Sequence, residues 1–73
     1  MLDTKPDWFK VGKMVYVGKV DIALKIIGIT DSIALLEEVG HCPIIGLTEA
    51  IIMENGQYKR GQSYREYENE KSN

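Results

Sequence analysis

The chain contains one histidine and one cysteine, and they are neighbours, His41-Cys42. A Cys–His nucleophile needs the imidazole within hydrogen-bond reach of the sulfur and a third group to orient it. Adjacent residues on an extended segment point apart, and no orienting group stands near in sequence. Two ligands also fall short of a zinc site. Glu37-Glu38 fail as an acid–base pair for the same reason: in a strand they face opposite sides, so they read as solvated acids at a strand end. The seven glycines are scattered at turn and bulge positions and form no phosphate-cradling loop. The expectation is a protein that is not an enzyme, with no cofactor and no metal.

Contact chemistry is better represented. Tyr58, Lys59, Arg60, Tyr64, Arg65 and Tyr67 interleave aromatic and basic side chains late in the chain. That mixture can stack on bases and neutralise phosphates, and it is equally enriched at protein–protein hot spots. Glu66, Glu68 and Glu70 sit among these residues and repel phosphate, and the formal net charge is −2. Trp8-Phe9 admits two readings: packing across the open end of a sheet, or exposure of Trp8 as an anchor for a partner. The candidate partner-binding residues are therefore Trp8, Phe9, Tyr58, Arg60, Tyr64, Arg65 and Tyr67. A protein partner is favoured over nucleic acid, with self-association left open.

A scaffold for these residues must come from Met14–Glu54, which holds nearly all the apolar side chains. Short β-branched runs there alternate with Gly, Asp-Ser, Gly-His-Cys-Pro and Thr-Glu breaks, the pattern of a tightly turned β protein. Strands are expected at Met14–Val17, at Asp21–Ile29 with a bulge or bend at Gly28, and at Ile33–Glu38 after an Asp31-Ser32 turn. Ser32–Val39 also carries a helix option, with Ser32 as N-cap. Gly40–Pro43 reads as a loop, Pro43–Leu47 as an edge strand, Thr48-Glu49 as a tight or 3₁₀ turn, and Ala50–Glu54 as the last core strand. Asn55-Gly56 is a type I′ turn signature, so Gln57–Lys59 is expected to fold back as a further strand. Ser63 and Glu66 form a capping-box pattern. The helix it would start is marginal alone, needs Tyr64 and Tyr67 to dock, and is expected to give way to disorder at the very end.

Length sets the other bounds. A chain of 73 residues is one domain with a small core, worth roughly 3–5 kcal/mol. A lone cysteine excludes an internal disulfide. No apolar leader or membrane-length run is present, so a cytoplasmic setting and no membrane association are the simplest expectations. The division anticipated is a lead-in over 1–10, a β domain over 11–60 and a polar tail over 61–73.

The sequence V-G-K-M-V-Y-V (11–17), L-K-I-I-G-I-T-D-S-I-A-L-L-E (24–37) and L-T-E-A-I-I (47–52) resembles an SH3-like small barrel, of the kind seen in KOW and Tudor-type modules and in small proteins of phages and mobile elements. The resemblance covers about forty residues. It implies an all-β, five-stranded barrel with a polar C-terminal tail and a short terminal helix as an option. KOW modules have a basic face, whereas this chain has Asp21 and Ala23 in the corresponding region. Tudor-type modules use an aromatic cage, yet the core strands here supply only Tyr16. Neither ligand class carries over. What remains is a binding module that acts by surface contact, and a phage- or mobile-element-encoded inhibitor or adaptor would suit this size and acidity. A nucleic-acid-binding barrel using residues 58–67 is the alternative.

Overall fold

The computed structural model of the chain describes residues 5–72. Six strands run in the order β1 (Met14–Val17), β2 (Leu24–Thr30), β3 (Ile33–Leu36), β4 (Gly40–Pro43), β5 (Leu47–Ile52) and β6 (Tyr58–Ser63), and helix α1 (Tyr64–Ser72) follows. They form one antiparallel sheet in the order β4-β3-β2-β1-β5-β6. The sheet is open, with β4 and β6 at its two edges, and it has six strands where five were expected.

β2 organises the sheet. Its first residues pair with β1 (Met14↔Lys25, Val15↔Leu24), and its later ones pair with β3 (Ile26↔Leu36, Gly28↔Leu35). The β2–β3 register slips between Ile26 and Gly28, so Ile27 is the extra residue of a bulge. A bulge bends its strand and sharpens the local twist, which lets one strand serve both halves of the sheet. Ile26 is fully buried while Ile27 is 48% exposed. The main chain of Ile26 is also tied to the turn before β1, because its N–H donates to the Lys13 carbonyl (2.9 Å) and its carbonyl accepts from Gly12 N–H (2.7 Å).

The core gathers Val15, Ile26, Ala34, Leu36, Ile44 and Leu47 from five segments, with Trp8 and Phe9 closing it. The two rings meet edge-on, 6.4 Å between centroids and 87° between planes. Among the described residues no polar or charged side chain is buried, so this interior is scaffold. The packing reading of Trp8-Phe9 is the one realised. The lead-in is therefore a structural part of the domain, although residues 1–4 lie outside the described residues.

Several local expectations need correction. Gly40–Pro43 is a strand, not a loop, because Glu38 (φ 69°) and Gly40 (φ 94°) turn the chain straight back onto β3. The 3₁₀ turn lies at Ile44–Gly46 rather than Thr48-Glu49. Pro43 fixes an extended entry at φ −67°, and Leu47 N–H closes on the Ile44 carbonyl while the Ile44 side chain is buried. Thr48 and Glu49 belong to β5, opposite Tyr16 and Val15. Consequently Pro43–Leu47 is not one strand, and the expected strand Ala50–Glu54 is the last part of β5, which ends at Ile52 and pairs with β6 from Ala50 onward, while β1 pairs with Leu47, Thr48 and Glu49. β2 starts at Leu24 rather than Asp21, and Ser32–Val39 takes the strand option over Ile33–Leu36. At the β5–β6 turn Gly56 has φ 87° but Asn55 does not have positive φ. The turn is thus not type I′. The Gly56 N–H donates to the Met53 carbonyl (2.9 Å), and the Asn55 side chain accepts from Gln57 N–H (2.9 Å).

The C-terminal end is more ordered than composition suggests. β6 reaches Ser63, beyond the boundary expected at residue 60, and α1 starts at once. Ser63 N–H donates to Glu66 Oε1 (2.9 Å) and Glu66 N–H donates to Ser63 Oγ (3.1 Å), a reciprocal capping box. Tyr64 packs on the core and lies 5.9 Å from the Tyr67 ring, which supplies the docking that so short a helix requires. Helical structure continues to Ser72, and the very end, where disorder was expected, is Asn73, which lies outside the described residues.

Candidate contact surfaces

The late aromatic–basic cluster does not form one surface. Tyr58 and Arg60 lie on β6, opposite Ile52 and Ala50. Tyr64, Arg65 and Tyr67 lie on α1, beyond a register shift in the β5–β6 ladder. Tyr64 is committed to the core, and its hydroxyl donates to Glu68 Oε2 (3.0 Å). Arg65 is exposed and borders an open hollow of about 480 Å³ with Ile45, Tyr64, Glu68 and Asn69.

Arg60 is turned inward on its own molecule. Its guanidinium stands 4.7 Å from the centre of the Tyr16 ring, and its two terminal nitrogens donate to the Gly18 carbonyl (3.1 Å), the Val20 carbonyl (2.8 Å) and Asp21 Oδ1 (3.2 Å). Arginine's rigid fork suits this combination of ring and oxygen partners. Tyr16, which points away from the core on β1, is buried beneath it.

A second concavity, open and about 430 Å³ in volume, lies between the lead-in, β5, β6 and α1. Trp8 Nε1–H donates to Gln62 Oε1 (3.2 Å), and Gln62 Nε2 donates to Glu70 Oε1 (2.9 Å). Glu49 accepts a long bond from Gln62 N–H (3.5 Å). These bonds tie the lead-in and α1 to β6, so the polar groups here act first as fasteners.

His41 and Cys42 face opposite ways on β4. Cys42 packs against the core and His41 is exposed, which removes any Cys–His nucleophile built from these two. Glu37 and Glu38 are exposed residues of the β3–β4 turn.

The surface that residue-by-residue inspection missed is the outer face of β2–β3–β4. Cross-strand pairs Thr30↔Ile33↔Pro43 and Gly28↔Leu35↔His41 share that side, and the bulge adds Ile27. Ile33 is 41% exposed, Leu35 is half-buried, and His41 and Pro43 are exposed. None of these positions is Asp, Glu, Lys or Arg. A signal was present in the sequence: I-I-G-I (26–29) and I-A-L-L (33–36) are continuous apolar runs, not alternating ones, and such runs put apolar side chains on both faces of a strand.

Comparison with known proteins adds no relative: no protein-family model, curated protein or solved structure matches the chain. No helix among the described residues is long and apolar enough to cross a membrane.

Proposed function

We propose that this domain is a non-enzymatic protein-contact module that uses the outer face of β2–β3–β4. The observation that carries this is the contiguous group Ile27, Ile33, Leu35 and Pro43, uncharged and left partly or largely open to water. A contiguous apolar patch with little polar cover marks a protein contact more often than a chance surface. The strand order, with a 3₁₀ turn before β5, supports placing the domain among SH3-like small barrels in an opened, six-stranded form.

Edge pairing contributes less to this proposal. β4 is four residues long and ends in Pro43, which lacks an N–H, and short strands with proline are a standard means of blunting an edge. The contact is therefore made by side chains on the face. Arg60 and Tyr64 support the scaffold, and Trp8 and Phe9 fill it.

The test is Ile33→Asp, a charge placed at the centre of the face. The variant should stay folded and lose the partner's binding. Retention of the wild-type protein on single-stranded or duplex nucleic acid at low salt, with a steep salt slope abolished by neutralising Lys59 and Arg65, would support the nucleic-acid alternative instead.

A further inference from the structure

We infer that Arg60 is a latch that locks the β1–β2 loop, residues 18–23, as a strap over Tyr16. The loop cannot be held by its own large side chains, because Val20 and Ile22 are 48% and 65% exposed. Its main-chain ties are local or at its base: Val20 N–H donates to the Val17 carbonyl (2.9 Å) and Gly18 N–H to the Gly46 carbonyl (2.9 Å). The long-range restraint is Arg60, reaching from β6 to two loop carbonyls and the Asp21 carboxylate while its guanidinium covers the Tyr16 ring.

Each of these contacts alone is weak, and the Arg60–Asp21 pair is exposed at 38% and 92% of the two side chains. Acting from one rigid fork they are mutually reinforcing, since holding the guanidinium for one contact places it for the others. The closed strap shields Tyr16 and fixes Val20 and Ile22 outward in one arrangement. The open strap frees both. Arg60 is thus a positioning residue, and this role stands independently of the contact face on β2–β3–β4.

The experiment is amide hydrogen exchange on the full chain by NMR, in wild type, Arg60→Met and Arg60→Lys, read together with nitration of Tyr16. Met keeps the aliphatic stem and removes the fork, while Lys keeps the charge without the fork. Exchange at Gly18 and Val20 should rise about tenfold or more in Arg60→Met, with β3 amides such as Ala34 changed less than about twofold, because opening of the strap is a local event. Tyr16 should become open to nitration, and Arg60→Lys should fall between. Should Arg60→Met fail to fold, Asp21→Ala carries the test with a local rise of about two- to threefold, since one of several latch contacts is lost. Unchanged exchange at Gly18 and Val20, or equal acceleration across the whole sheet, overturns the latch.

Discussion

Ile26→Ala and Ile27→Ala form a matched pair that tests which side chain of β2 is buried at the bulge. The two residues are chemically identical neighbours, yet Ile26 is 0% exposed and Ile27 48%. Truncating a fully buried isoleucine costs about 2–5 kcal/mol, from lost transfer energy plus the cavity left behind. A domain this small draws only roughly 3–5 kcal/mol from its core. Ile26→Ala should therefore consume most of the stability and leave a large unfolded fraction at 25 °C. Ile27→Ala removes a side chain already half in water and should cost under about 1 kcal/mol. Urea titration followed by Trp8 fluorescence reads both. Trp8 is the only tryptophan and is 6% exposed when folded, so its emission should shift to the red on unfolding. With a slope near 1 kcal/mol per molar urea, the midpoint of Ile26→Ala should fall by about 2 M or more, and that of Ile27→Ala by less than about 1 M. Equal costs at the two positions would mean that Ile27 is packed as deeply as Ile26, and the facing of β2 at the bulge would be refuted.

Three further outcomes follow from single features. Ser63→Ala removes one half of the capping box and should cost about 1 kcal/mol, with loss of α1 helicity by NMR chemical shift before the sheet melts. Gly56→Ala places a Cβ at φ 87° and should lower stability by about 1 kcal/mol in the same urea assay, through strain in the β5–β6 turn. Ile33→Asp should cost no more than about 1 kcal/mol, because its side chain is already partly solvated, so lost binding cannot be assigned to unfolding.

What the sequence disclosed about the fold follows from how local each determinant is. Met14–Val17 was legible to the residue because Gly18 ends a short β-branched run. The Asp31-Ser32 turn and the Ser63/Glu66 cap were legible because they are set by side chains within a few residues. Gly28 pointed to the irregularity in β2, and Ile27 beside it is the bulged residue. Gly40–Pro43 was opaque: Gly-His-Cys-Pro has loop composition, and only the long-range ladder to β3 makes it a strand. The type I′ expectation at Asn55-Gly56 failed because a glycine can serve its positive φ at a different step of the turn.

The contact residues were less legible than the fold, for a physical reason. Tyr and Arg mark contact chemistry by type, but type does not reveal which way a side chain points. Arg60 spends its fork on its own loop, and Tyr64 and Trp8 spend their rings on the core. Conversely, Ile33 and Leu35 looked like core residues because they are apolar. Only the register, which puts Ala34 and Leu36 inside, turns their neighbours outward.

The outer face of β2–β3–β4 is proposed to meet another protein. Photo-crosslinking in the native host tests it most directly, with a benzophenone amino acid placed at Ile33 and, as a control off that face, at Lys19. Position 33 should give a discrete protein adduct, abolished when Leu35→Asp is added, and position 19 should give none. Adducts of equal yield from both positions, or an adduct from position 33 that is digested by nuclease and not by protease, would contradict it.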